Sequence, residues 1–134
     1  PSAGALSQSR APHESTKLTR QEMLDRSGAL ATVLDGAISA GLIEAKKIFS
    51  SDDLAVLNSV VEASRFGLEP RHLRGMRLAV DREVGLVSQA VSATTSSRKA
   101  LPPEELREKG RELCDILMTL RQAITKDALN RLES

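Results

Sequence analysis

The chain has 134 residues, 19 basic and 18 acidic, for a formal net charge of +1. Two aromatic residues (Phe49 and Phe66), one cysteine and two distant histidines (His13 and His72) exclude an intrachain disulfide, a cysteine-rich zinc site and base-stacking platforms. The near-zero charge argues against a strong non-specific nucleic-acid binder, and no apolar run approaches the ~20 residues of a membrane span.

Pro1 to Ser15 is small and polar, and residues 1–17 read as a flexible linker. No signal peptide is visible, so a cytoplasmic location is expected. A chain that opens in a linker, on Pro rather than Met, is expected to be a fragment of a longer protein. Residues 18–134 then form one helical domain. Thr19-Arg20-Gln21-Glu22 is a capping box that predicts a helix over 20–26, stopped by Ser27-Gly28. Leu30, Val33, Leu34, Ala37 and Ile38 predict a second helix over 29–40, with Gly41 in the left-handed cap position. Two short helices at a tight glycine junction make a helix-turn-helix candidate.

Residues 42–49 are expected to form a small hairpin or an extended arm. Ser51-Asp52-Asp53 predicts the next helix start, and Leu54, Leu57, Val60, Val61 and Phe66 supply its apolar face before Gly67 stops it. Pro70 fits a first helical position, and that helix is expected to reach Val91. Residues 92–100 read as a loop. Pro102-Pro103-Glu104-Glu105 opens the last helix, carried to Leu132 by Leu106, Leu113, Ile116, Leu117, Leu120, Ile124 and Ala128. The fold class is all-α: a degenerate winged-helix-like helix-turn-helix in residues 18–68, then two long helices in residues 69–134.

The last helix, at about 29 residues, measures on the order of 44 Å. The radius of gyration expected for the chain is about 14 Å. An apolar-striped helix of that length needs a partner. The expected partner is a second copy, with Leu106, Leu113, Ile116, Leu117, Leu120 and Ile124 as dimerisation residues; the alternative is folding back on residues 70–91.

Residues 18–91 resemble the winged helix-turn-helix of MerR-type bacterial transcriptional regulators. The runs Phe66-Gly67-Leu68-Glu69-Pro70-Arg71-His72-Leu73-Arg74 and Asp81-Arg82-Glu83-Val84-Gly85-Leu86-Val87 are the more specific part. They resemble the C-terminal domain of an actinobacterial MerR-type group that includes the cell-division regulator FtsR. In that group a DNA-binding domain comes first. The resemblance implies a dimerisation and effector domain that positions DNA-binding domains lying outside this chain, with a small apolar effector or a protein as further partner. Residues 29–42 contain neither Lys nor Arg, and they contain Asp35 and Gly36. A helix that reads base edges needs Arg, Lys, Asn or Gln. DNA is therefore expected to be bound by the full-length protein rather than by this chain. Two alternatives stay open: direct DNA binding through residues 20–47, with Arg20, Arg26, Lys46 and Lys47 on phosphates, and a docking module for the transcription or division machinery.

Arg71, Arg74 and Arg77, spaced by three, are candidates for an anion or partner contact, against a solvated face in which Arg77 pairs with Asp81. The resemblance implies a structural or interfacial role for His72, such as a hydrogen bond to a neighbouring backbone group. Cys114, beside Glu112 and Asp115, reads as a small core residue rather than a reactive thiol. Glu104, Glu105, Glu108 and Glu112 suit a helix N-terminus. No nucleophile-base arrangement, phosphate loop or metal spacing stands out, so neither an enzyme nor a cofactor is expected.

Overall fold

The structure is a computed structural model that describes residues 17–95 and 101–134. The expected linker, Lys17 apart, and residues 96–100 of the expected loop lie outside the described residues. The order is β1 (Leu18–Thr19), α1 (Arg20–Ser27), α2 (Ala31–Ser39), β2 (Ile48–Phe49), α3 (Ser51–Ser64), a 3-10 turn (Pro70–Leu73), α4 (Arg74–Thr95) and α5 (Pro103–Glu133). The fold is mostly helical, as expected, with one two-stranded ladder. The chain divides between Arg77 and Leu78 into two compact units.

In the first unit α1 and α3 start where a side chain can take up orphan backbone N–H groups, whereas α2 opens at Leu30 with no side-chain cap. Glu22 N–H donates to the Thr19 hydroxyl (3.1 Å), and Thr19 N–H donates to the Glu22 carboxylate (3.0 Å). At α3 the cap is Ser50, one residue before the expected Ser51. With Ser50 as cap, Asp53 occupies the third helical position. Asp53 N–H donates to the Ser50 hydroxyl (3.1 Å), and Ser50 N–H donates to the Asp53 carboxylate (2.9 Å). A cap at Ser51 would put Leu54 there, with no acceptor to offer.

Three glycines adopt positive φ: Gly28 (72°), Gly41 (80°) and Gly67 (84°). Gly41 ends α2 as expected; Leu42 N–H donates back to the Ala37 carbonyl at 2.9 Å. Leu30, with extended backbone, starts α2 two residues later than expected. Gly67 turns the chain after α3, but the helix itself ends at Ser64. Phe66 therefore lies beyond the helix and is 86% exposed, so its expected place on the apolar face is corrected. The arm 42–49 makes no hairpin of its own. Its end, Ile48–Phe49, pairs antiparallel with the segment before α1, with Leu18 opposite Phe49.

That ladder closes the core. Leu18, Met23, Leu34, Ala37, Ile43, Phe49 and Leu57 are buried together, with Leu24, Ala29, Val33, Ile38, Leu42 and Leu54 around them. Phe49 is the one aromatic in it, and aliphatic packing does the rest.

Pro70 begins a 3-10 turn rather than an α-helix, and α4 follows from Arg74 to Thr95, past the expected end at Val91. The expected loop residues Ser92 to Thr95 are thus helical. In the second unit α5 runs antiparallel to α4: a Cβ on Gly110 would lie 3.8 Å from Val91 and 3.9 Å from Val87, and Arg121 pairs further back along α4 with Glu83. Within the chain α5 thus folds back on residues 80–91 of α4.

Gly36 packs against the turn: a Cβ there would meet Pro70 Cγ at 3.2 Å. Gly36→Val puts a branched side chain into that contact and should destabilise the protein by about 2 kcal/mol. Gly75→Ala, in a helix with open space around it, should stabilise it by up to about 1 kcal/mol. Urea unfolding of the two variants measures both signs.

Candidate functional site

In the first unit, α1 and α2 form the helix-turn-helix, and α2 holds the position of a reading helix. Its outward residues are Ala31, Thr32, Asp35 and Ser39. None is a long donor. Asp35 accepts from the Arg20 guanidinium at 2.9 Å. The Gly36 side of α2 is covered by Glu69, Pro70, Arg71 and Arg74, which with Thr32, Ser39 and Ala40 line a shallow cavity of about 250 Å³.

Each candidate arginine sits along this edge. Arg74 donates to the Ser39 carbonyl at 2.9 Å. It places a cation on the C-terminal carbonyls of α2, where the helix dipole favours one. Arg71 pairs with Glu69 at 3.3 Å, and its side chain is 75% exposed. The Arg77 side chain reaches Gly41, with Cγ 3.9 Å from where a Cβ would stand. His72 Nδ1 accepts from the Glu69 backbone N–H at 2.9 Å. That is a backbone contact of the kind expected of it.

Of the four cations named for phosphate contact, two are engaged internally. Arg20 holds Asp35, and the Lys46 ammonium holds the Asp53 carboxylate at 2.8 Å. Lys46 is held more basic than usual, chiefly by its hydrogen bond to Asp53. At Asp53 burial pushes the carboxyl up, but the Lys46 ammonium and the two Ser50 hydrogen bonds together outweigh it, so the net shift is downward.

In the second unit, α4 and α5 leave a groove of about 160 Å³ lined by Val80, Glu83, Val84, Val87, Cys114, Leu117, Met118 and Arg121. Its walls are apolar. The charged pair Glu83–Arg121 stands at its edge, with Arg121 Nε donating to Glu83 Oε1 at 3.2 Å and Nη2 in contact with the second carboxylate oxygen. Val87 is the one buried apolar residue of this unit among the described residues. Cys114 is half-buried in the groove wall.

The residues expected to dimerise divide in two. Leu106, Leu113 and Leu117 are half-buried. Ile116 (56%), Leu120 (51%) and Ile124 (59%) are exposed. Leu78, Val80, Val84 and Leu86 on α4 and Met118, Leu129 and Leu132 on α5 are also exposed apolar positions, outside the set that the sequence reading assigns to dimerisation. The signal was in the helical spacing of Val80, Val84, Val87 and Val91, which gives α4 its own stripe. Nothing in the sequence marked Glu83 and Arg121, 38 residues apart, as partners.

Among the described residues no cluster of His, Cys, Asp or Glu has the makings of a metal site, and no helix is long and apolar enough to cross a membrane.

The Rv1828-like C-terminal domain family matches residues 16–133. Two curated relatives are 28% identical to the chain over 115 residues: the uncharacterized HTH-type transcriptional regulators Mb1859 of Mycobacterium bovis and Rv1828 of Mycobacterium tuberculosis. The match takes in 84% of this chain and 47% of each relative, so the chain spans about half their length. Both carry the names of regulators, not of enzymes.

Asp53 has a folded-state pKa below its unfolded value. Its contribution to stability is therefore complete above about pH 4 and is lost as the pH falls through the folded value. Asp53→Asn keeps an acceptor for Ser50 N–H but loses the charge. The expected outcome is a urea midpoint lowered at pH 7, with the gap to the unsubstituted chain narrowing toward pH 3.

Proposed function

The chain belongs to the Rv1828-like C-terminal domain family, and from that premise we propose that it is the assembly half of a helix-turn-helix transcriptional regulator of the MerR type, close to the actinobacterial group that includes FtsR. In this reading residues 18–134 act as a C-terminal helical domain in the cytoplasm. Two copies join through Leu106, Leu113, Ile116, Leu117, Leu120 and Ile124. They hold two DNA-binding domains, located outside this chain, at a fixed half-site spacing. Such linkage turns two weak contacts into one strong two-site contact. A small apolar effector would act by favouring one arrangement of the pair over another.

The observation that carries the reading is the exposed row Ile116, Leu120 and Ile124 on α5, a helix of 31 residues and about 46 Å. Direct DNA binding through residues 20–47 is disfavoured because Arg20 and Lys46 are already paired and the outward side of α2 offers no long donor. Arg71, Arg74 and Arg77 are proposed as a contact for an anion or a partner. Replacing all three by Gln should then weaken that contact in the full-length regulator.

Sedimentation of the chain, alone and with a duplex of about 25 base pairs at low salt, tests the reading. The expected result is a dimer that ignores the duplex. Leu120→Arg should weaken the dimer by at least about 100-fold. A monomer that binds the duplex, with an affinity that falls steeply with salt, would overturn the assembly role.

A second reading, a docking module for the transcription machinery, is favoured by Phe66. Its neighbours Gly67 and Leu68 donate to the Ser64 and Ala63 carbonyls at 3.0 and 3.2 Å, so a pinned turn displays an exposed ring. If it holds, purified RNA polymerase is retained by the immobilised chain and not by its Phe66→Ala variant.

A further inference from the structure

We propose that the cleft between α2 and the Pro70 turn takes a carboxylate side chain from an acidic segment of a partner protein. The inference rests on the reading of Arg71, Arg74 and Arg77 as a contact for an anion or a partner, and it names what that contact holds.

The walls of the cleft carry the argument. Arg71 and Arg74 stand three residues apart on one side of the turn and the start of α4, and both line the cleft. Thr32 and Ser39 on α2 add hydroxyl groups, which donate or accept as a ligand requires. Gly36, Ala40 and Pro70 give the rest a small, apolar lining, against which the methylenes of an acidic side chain can lie. A carboxylate matches the planar fork of an arginine through two parallel hydrogen bonds, and arginine clusters are a recurrent device for holding acidic motifs.

The two arginines are held differently. Arg74 spends one of its five N–H donors on the Ser39 carbonyl at 2.9 Å, which fixes the guanidinium beside the C-terminal end of α2. Arg71 already meets a carboxylate, that of Glu69. Its Nε lies 3.3 Å from Glu69 Oε2, long for a charge-assisted hydrogen bond, and the two side chains are 75% and 60% exposed. Such a pair contributes little and exchanges readily. Glu69 thus marks the place of a carboxylate at this fork and leaves the cleft itself open.

An acidic segment fits better than a nucleic acid or an enclosed small acid. Residues 18–77 carry eight basic and eight acidic residues, so no positive excess draws a polyanion. A phosphate backbone laid across the cleft would also meet Glu69 in its wall. A small-molecule site buries most of its ligand. Here Thr32, Ser39, Glu69, Arg71 and Arg74 are all exposed, so the cleft holds the end of a side chain and leaves the rest of the ligand outside. A ligand that is mostly outside must be carried by something larger.

The experiment is a proton–nitrogen NMR titration of the full chain at low salt. The probes are a capped glutamate-rich peptide, the same peptide with glutamine in place of glutamate, glutarate, inorganic phosphate and a short DNA duplex. The expected result is that the acidic peptide shifts the backbone amides of Thr32, Gly36, Ser39, Arg71 and Arg74, and the glutamine peptide does not. Arg71→Gln weakens the binding about threefold. Glu69→Gln, which removes the competing carboxylate, strengthens it. Arg65→Gln removes the same charge outside the cleft and leaves it unchanged. All three replace exposed side chains, and far-UV circular dichroism confirms their helices.

Equal shifts with the glutamine peptide, or binding untouched by both Arg71→Gln and Glu69→Gln, overturn the carboxylate site. Glutarate or phosphate bound as tightly as the acidic peptide overturns the peptide ligand and leaves an anion contact standing, and a duplex that alone shifts these amides overturns it in favour of a nucleic acid. A titration in which no probe moves them overturns the inference. The broader contact reading is then decided separately, by the triple glutamine replacement in the full-length regulator.

Discussion

The missing side chain at Gly36 is the constraint on which the first unit depends. It lets the Pro70 ring lie on the backbone of α2. Once Pro70 is seated, Arg74 reaches the Ser39 carbonyl and the turn is held at both ends. The contact also covers one side of α2. A reading helix must present one clear side to a DNA groove. Here the Gly36 side is occupied by the chain's own turn, and Asp35 on the outward side holds an arginine. On its Gly36 side α2 carries the turn that follows α3.

The second unit has the opposite character. It is long, charged along its outer faces and poor in buried residues. Gly110 brings the helices together near Val87 and Val91, and Arg121 ties α5 to Glu83. Between these points the pair encloses a shallow apolar groove rather than a core. A surface of this kind suits assembly better than chemistry, because it offers area and shape but almost no polar groups to hold a reacting atom.

Much of the fold was legible in the sequence because its punctuation is local. Thr19 with Glu22, Gly41 and Pro70 each act within a turn or two, and each marks an element end near where it lies. The misplacements have local causes too. Ser50 won over Ser51 because only Ser50 puts Asp53 where it can return the bond. Phe66 is misread because apolar spacing continues past the residue at which the helix stops. The candidate site was legible as apolar stripes on α4 and α5, but not as a shape. Which leucines of α5 face α4 and which face outward follows from the Gly110 and Arg121 contacts, and those join residues far apart in sequence. The tie between Gly36 and Pro70 is of the same kind. A glycine inside an apolar helical stripe reads in the sequence only as a cost to the helix, and the ring that lies against it comes from a segment far along the chain.

The exposed apolar side chains of the α4–α5 hairpin are all non-aromatic, with no aromatic ring from Leu78 to Ser134. An association built on such a surface draws on the release of ordered water rather than on stacking or hydrogen bonds, and near room temperature that drive is almost entirely entropic. It weakens on cooling. Covering such a surface would lower the heat capacity, and an association built on it would loosen in the cold while the α4–α5 hairpin keeps its own backbone hydrogen bonds. Temperature, more than salt or pH, would then be the variable to which any partner held there responds.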